Sequence, residues 1–172
     1  LWNEVSLSGA KFKQDNGQKL FRRSMYTYWK RSSPAPSLTI FDAPTREKCA
    51  LRRSRTNTPL QALVTLNDVQ FVEASRALAE RALKEGGNTL DEQIDYAYRL
   101  ASGVRPKSFV REILKQTYHD ELKIFQADKE RATKLISAGE SPRDETLDPA
   151  VHAAMSIATS MILNLDEVLT RG

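Results

Sequence analysis

The sequence predicts a mainly α-helical protein, an irregular multi-helix array with a small N-terminal β-hairpin. From residue 58 onward, apolar residues recur at helical spacing, and capping residues precede most of these stretches. Residues 1–57 have little helical period and contain an Asn-Gly dipeptide. We therefore predict one helical domain over 1–172, with a basic, irregular and β-hairpin segment at 1–57 and a helical part at 58–172.

The hairpin is predicted around Asn16 and Gly17. Asn-Gly between two short runs favours a two-residue turn, because both residues tolerate positive φ. The two strands are expected at roughly 10–15 and 18–22. The Ser- and Pro-rich stretch 32–37 then predicts an extended or turn-rich connector.

The first two long helices are predicted from their caps. Residues 58–61, Thr-Pro-Leu-Gln, form a capping box with proline at the first helical position, where a missing N–H costs nothing. This helix is expected to be short. Asn67 is predicted to cap the next one, which continues to about Lys84 and ends at the glycine pair 86–87.

The remaining helices are predicted in the same way. A second capping box, Thr89 to Glu92, begins one of them, and Gly103 and Pro106 end it. The later predicted helix starts are Ser108, Asp128, Asp148 with its following proline, and a final turn from Asn164. The uncharged stretch 149–165 is short for a membrane span, so we predict a buried helix and no membrane span.

Charge is unevenly distributed along the 172 residues, whose formal net charge is +4. Residues 11–55 contain 12 Lys and Arg against three acidic residues, whereas residues 56–172 contain 14 against 18. Two interpretations stay open. The basic segment packs on the acidic helices of the same domain, or it binds an anionic partner. The mild net charge disfavours nucleic acid as that partner.

Catalytic and cofactor motifs are absent from the sequence. Cys49 is the only cysteine, so no internal disulfide, zinc spacing or haem-attachment motif exists. Neither a phosphate-binding glycine loop nor a nucleophile elbow is present. His119 and His152 have no second metal-type residue at ligand spacing. We expect no cofactor in this chain and no catalysis by the chain on its own.

A basic cluster is the best candidate for a binding site. Arginine offers bidentate hydrogen bonds to phosphate, sulfate or carboxylate groups. Aromatic residues upstream, at 26, 28 and 29, would supply stacking surface for sugar rings or bases. In the alternative interpretation the arginines clamp loop carbonyls and the aromatics form core. The predicted binding residues are Arg46, Lys48, Arg52, Arg53, Arg55 and Asn57.

Several of these segments resemble a known family. The motifs are Phe-Arg-Arg-Ser-Met-Tyr-Thr-Tyr-Trp-Lys-Arg, Phe-Asp-Ala-Pro, Arg-Ser-Arg-Thr-Asn-Thr-Pro-Leu-Gln-Ala-Leu and Leu-Asn-Asp, at 21–31, 41–44, 53–63 and 66–68. They resemble domain-of-unknown-function family 1553, the C-terminal domain of planctomycete-type exported proteins that also carry a cytochrome-c-like domain. The chain's last segment, 163–171, is similar to the family's usual end. Met25 and Val69 depart from the family's usual Leu and Pro.

The resemblance implies an extracytoplasmic location. It also implies that the partner of this chain is the upstream domain of the same parent protein. The first residue, Leu1, likewise indicates a piece of a longer chain. We expect a non-catalytic domain that docks on the preceding domain or binds an anionic partner such as an acidic polysaccharide. The expected export further disfavours nucleic acid. As an alternative, Asp42, Arg53 and Asn57 contribute to a shared active site of a haem-linked redox or glycan-processing enzyme.

Overall fold

A computed structural model of the protein describes residues 15–22, 24–29, 34–52, 54 and 56–170. This part of the chain is mainly helical, as predicted, and contains no strand. Short 3-10 helices occupy Gly17–Phe21 and Ser24–Tyr26. The α-helices are α1 (Pro36–Ile40), α2 (Pro59–Asn67), α3 (Val69–Glu85), α4 (Leu90–Ser102), α5 (Ser108–Ala127), α6 (Lys129–Ile136), α7 (Pro149–Leu163) and α8 (Asp166–Leu169). The chain divides into two compact units, residues 1–61 and 62–172.

The predicted β-hairpin is wrong where the structure describes it. Its second strand, 18–22, lies almost entirely within the 3-10 helix Gly17–Phe21. Residues 10–14 of the first strand lie outside the described residues. Gly17 does adopt a positive φ of 62°, and Asn16 precedes the 3-10 helix as its N-cap. Of the Asn-Gly pair, only Gly17 therefore adopts a positive φ, whereas Asn16 is extended with a φ of -123°, and the pair leads into a helical turn instead of a strand.

The first unit is held together around the start of α2. Thr58 and Gln61 form the predicted capping box: the Gln61 amide N–H donates to Thr58 Oγ1 at 3.3 Å, and the Thr58 N–H donates to Gln61 Oε1 at 3.0 Å. Pro59 takes the first helical position. These bonds satisfy donors that every helix start leaves without an intrahelical partner.

The start of α3 differs from the prediction by one residue. Asp68, rather than Asn67, is the N-cap, and its carboxylate accepts a hydrogen bond from the Gln70 N–H at 2.9 Å. Asn67 instead ends α2, where its side-chain amide donates to the Leu63 carbonyl at 2.8 Å. Of these two adjacent residues, Asn67 therefore bonds to the end of α2 and Asp68 caps the start of α3.

The later predicted caps are mostly confirmed. Thr89 and Glu92 form a complete capping box at α4, and the Asp128 and Asp148 carboxylates cap α6 and α7. Ser108 is not a cap: it is the first residue of α5, and Lys107 precedes it without a side-chain bond. Short, local sequence signals therefore place most helix starts correctly.

Helix α7 is the centre of the second unit. It contacts α3, α4, α5, α6 and α8. A helix covered on nearly every side must be apolar around its circumference, and small residues let its neighbours approach closely. The buried alanines that do this on α7 are Ala150, Ala153, Ala154 and Ala158. This confirms a buried helix in the uncharged stretch, and none of the described helices is long and apolar enough to span a membrane.

The core around α7 has two clusters. Large side chains from α5 and α6 fill one of them, which includes Phe125 and Ile136. Residues of α4 and α5, among them Ile94 and Leu114, fill the other with Ile162 of α7. These residues are almost fully removed from water. Burial of such side chains supplies the main favourable free energy of the unit.

Candidate functional site

The candidate site lies in the first unit, in the loop between α1 and α2. Asp42 joins the two ends of this loop. Its Oδ2 accepts hydrogen bonds from the Thr56 hydroxyl at 2.7 Å and from the Thr56 N–H at 2.9 Å. These two bonds, the hydroxyl first, lower the pKa of the Asp42 carboxyl. Asp42 is therefore ionised and holds the two ends of the loop together.

Gln61 completes this clamp. Its side chain is only 2% exposed, and its Nε2 donates to the Ile40 carbonyl at 2.8 Å and to Thr56 Oγ1 at 3.1 Å. With the bond to Thr58, one amide joins the end of α1, the loop and the start of α2. Buried amides need such partners, because an unpaired polar group is costly. We define Asp42, Thr56, Thr58 and Gln61 as the loop clamp.

The predicted basic residues extend from the loop that this clamp fixes. Arg46, Lys48 and Arg52 are all exposed. Within the described part of the first unit, none of the three forms an ion pair with a carboxylate. Arg53 and Arg55 lie outside the described residues, and Asn57 is exposed. We define Arg46, Lys48 and Arg52 as the basic patch.

Arg46 is held in an uncommon backbone conformation. Its φ is 64°, in the left-handed region that residues with a Cβ seldom occupy. The Arg46 guanidinium carbon lies 4.9 Å from the centre of the Trp29 ring, within the range of a cation–π contact. Strained backbone of this kind is concentrated at functional sites. The geometry presents one cation on an aromatic face at the protein surface.

Two tyrosines of the same unit are also exposed. Tyr26 is 66% exposed and Tyr28 is 71% exposed, whereas Trp29 is half-buried. The interpretation of these aromatics as core therefore fails for both tyrosines. Exposed rings and exposed cations in one unit are suited to ligands that carry negative charge and flat or ring-shaped surfaces.

Side chains of the metal-ligating types do not cluster in the part of the chain that the structure describes. Those residues contain no group of three or more His, Cys, Asp and Glu side chains that would hold a metal ion. Cys49 is an exposed free thiol. His119 is exposed, whereas His152 is fully buried on α7.

Sequence reasoning missed a buried polar cluster in the second unit. Arg76 and Glu73 of α3 and His152 of α7 are all almost completely buried. Charged residues are seldom buried so fully. The one signal in the sequence was the spacing of Glu73 and Arg76, three residues apart within the apolar stripe of α3.

A comparison with known families decides the family of this chain. The family described as PSD1, protein of unknown function (DUF1553), matches residues 3–118. The chain belongs to this family. The matched stretch contains the loop clamp and the basic patch, and it ends within α5. No curated protein and no solved structure matches the chain. Membership in the DUF1553 family therefore supplies no activity that can be transferred to the site.

Proposed function

We propose that this DUF1553 domain is a non-catalytic module that binds an acidic polysaccharide through its basic patch. The observation that supports the proposal is that Arg46, Lys48 and Arg52 are exposed and form no ion pair in the described part of the first unit, and that Arg46 lies on the Trp29 ring. Some surface cations of the second unit are paired with carboxylates instead, namely Arg81, Lys84, Arg111, Lys115 and Lys123. Arg111, for example, donates two 2.7 Å hydrogen bonds to the Asp95 carboxylate.

The chemistry of the patch fits sulfated or carboxylated sugars. Arginine matches the planar geometry of these anions, and aromatic rings pack on the apolar faces of sugar rings. Because the cations are exposed, salt must weaken the attraction. Following the family resemblance, we also propose that the parent is an exported planctomycete-type protein with a cytochrome-c-like domain, so that the module acts outside the cytoplasm.

The test is a binding titration of the chain with dextran sulfate, with neutral dextran as the matched polymer. We expect binding to dextran sulfate alone. The triple change Arg46→Gln, Lys48→Gln and Arg52→Gln should weaken binding about tenfold, since three exposed pairs at roughly 0.5 kcal/mol each amount to about one factor of ten.

A matched control removes the same charge elsewhere. Lys107, Lys129 and Lys134 are exposed on the second unit and form no ion pair among the described residues. Their triple change to Gln should leave the affinity almost unchanged. Equal weakening by both triple changes would show that net charge alone attracts the polymer, and the proposed patch would then be wrong.

Docking onto the preceding domain of the parent protein is a second candidate. It is supported by an apolar stripe in the part of α2 that belongs to the second unit, where Leu63 and Leu66 are each about half exposed. Apolar side chains repeated along one helix face are typical of protein contacts. Titration with the separately produced preceding domain tests this. Leu63→Lys should abolish binding, whereas Ile113→Lys, at an equally exposed position of α5, should not.

The shared active site remains the alternative enzymatic proposal. Asp42 contributes little to it, because both of its described hydrogen bonds hold Thr56 in the loop clamp. Asn57 is exposed beside the clamp and is the residue through which this alternative is tested. If turnover by a protein containing the upstream domain is lost in Asn57→Ala while its melting temperature is unchanged, this alternative gains support over simple binding.

A further inference from the structure

A buried arginine on α3 is anchored at one end of its guanidinium group. Arg76 is 2% exposed. Its Nη2 donates to the Ser141 carbonyl at 3.0 Å and to the Ser141 hydroxyl at 2.5 Å. Ser141 lies in the loop between α6 and α7. These bonds fix the position of the guanidinium group without using its other nitrogens.

The counter-charge of Arg76 is Glu73, one helical turn earlier. Glu73 Oε1 lies 3.8 Å from Arg76 Nη2. The same carboxylate accepts hydrogen bonds from the Ser141 hydroxyl and N–H and from the Glu140 N–H. Burial raises the pKa of Glu73, but these hydrogen bonds, with the charge of Arg76, lower it by more, so the group is ionised. The pair is neutral overall, and the hydrogen bonds to the Glu73 carboxylate come from the loop residues Glu140 and Ser141.

Two nitrogens of Arg76 have no such partner. Nε and Nη1 are both buried, and neither forms a hydrogen bond within the described residues. A buried donor without an acceptor costs free energy, more so when the donor is charged, and most buried polar groups in proteins are paired. Arg76 therefore has unused capacity to bind an acceptor.

A cavity of about 50 Å³ adjoins Arg76. Its wall has two chemical parts. The apolar part is formed by Leu66, Val72, Leu135 and Ile157. The polar residues that line the cavity are Arg76, Ser75, Ser156 and Ser160. One water molecule needs roughly 10–15 Å³ of such cavity volume, so the cavity has room for a group of about four non-hydrogen atoms.

We propose that this cavity is a binding site for a small aliphatic carboxylate of the size of acetate or propionate. The carboxylate accepts a hydrogen bond from an unpartnered nitrogen of Arg76, and the short alkyl group lies against Val72, Leu135 and Ile157. Nε and Nη1 are on different edges of the guanidinium group, so one carboxylate meets one of them. The site is independent of the basic patch, because all of its residues belong to the second unit.

The experiment follows the Arg76 guanidinium resonances by NMR in the full chain. Acetate and propionate are titrated at constant ionic strength against chloride, with acetamide as the uncharged analogue of acetate. Binding is expected to be weak, since so small a ligand offers few contacts. We expect a saturable shift with both carboxylates and no saturable shift with chloride or acetamide.

Two variants locate the effect. Ser160→Leu fills the cavity from a half-buried position without removing Arg76, and it should abolish the shift. Ser137→Leu makes the same chemical change at an exposed position at the end of α6 that does not line the cavity. This variant should bind as the unchanged protein does.

Several results would overturn the proposal. If neither carboxylate gives a saturable shift, the cavity does not bind carboxylates and holds only water. If chloride gives an equal saturable shift, the cavity binds any small anion. A shift that persists in Ser160→Leu would place the ligand elsewhere. Failure of polysaccharide binding would leave this proposal standing, because the two tests use different ligands and different residues.

Discussion

Acid should destabilise the second unit through His152. The ring is completely buried, and Nε2 lies 3.1 Å from the Arg76 carbonyl oxygen. A carbonyl only accepts, so Nε2 carries the proton of the neutral ring and Nδ1 carries a lone pair. Nδ1 is buried with no hydrogen-bond partner in the described residues. Protonation would therefore place a charge, and a donor without an acceptor, inside the protein.

Burial is the main cause that lowers the pKa of His152 from its ordinary value of 6.5. The Arg76 carbonyl and Glu80 oppose this effect, whereas the charges of Arg76 and Arg143 add to it. Because the folded pKa is lowered, the unfolded chain takes up the proton first as pH falls. The stability from neutral His152 is thus complete above pH 6.5 and is lost below it.

The size of the effect has a ceiling. One proton bound only by the unfolded chain changes the free energy of unfolding by at most about 1.4 kcal/mol per pH unit. Between pH 6.5 and 5 the loss is therefore at most about 2 kcal/mol. Carboxylates such as Glu73, whose pKa is lowered from 4.5, lose their contribution to the stability of the folded chain only at lower pH.

The assay is urea unfolding at several pH values between 5 and 8, for the unchanged chain and for His152→Gln. The glutamine amide can still donate to the Arg76 carbonyl but does not titrate. We expect the unchanged chain to lose stability below pH 6.5 and the variant to show a flatter profile. His119→Gln, at an exposed position, is the matched control. Parallel profiles for the unchanged chain and His152→Gln would refute the reasoning.

Three further predictions concern stability. Thr58→Ala should lower the free energy of unfolding by about 1 kcal/mol, because it removes the cap of α2, whereas Thr58→Asp should retain most of it; an unchanged urea midpoint for Thr58→Ala would contradict this. Ile136→Ala should cost about 2–5 kcal/mol, since Ile136 is fully buried in the core, and calorimetry would detect the lower melting temperature. Gly103→Ala should lower the free energy of unfolding by about 1 kcal/mol through backbone strain alone, because the φ of Gly103 is 82° and an added Cβ would contact no atom. A variant as stable as the unchanged chain would disprove the strain.

The predicted parts of the fold are those that short-range chemistry decides. The capping boxes at residues 58–61 and 89–92 act within one helical turn, so their residues can be recognised in the sequence alone. The hairpin at Asn16 failed for a related reason. Asn-Gly specifies a bend with positive φ, but strands also need alternating apolar residues, which 18–22 lack.

Long-range contacts were beyond the sequence. The burial of Arg76 depends on Ser141, 65 residues later, and the clamp between Asp42 and Thr56 spans 14 residues. No periodicity connects such pairs, and a charged residue in an apolar stripe is normally expected at the helix edge. For the candidate site, the sequence located the basic residues, whereas the exposure of Arg46, Lys48 and Arg52 required the fold.

The motif that marks the family and the surface proposed for binding are made of different residues. Asp42, Thr56, Thr58 and Gln61 all belong to the recognisable motifs, and their described hydrogen bonds hold the loop and the helix start. Arg46, Lys48 and Arg52 lie between those motifs and use their side chains for no ion pair in the described part of the first unit. In this chain the loop clamp is therefore a scaffold, and the residues proposed for binding lie on the loop that it holds. On this argument, changes in the clamp should alter stability, and changes in the basic patch should alter binding.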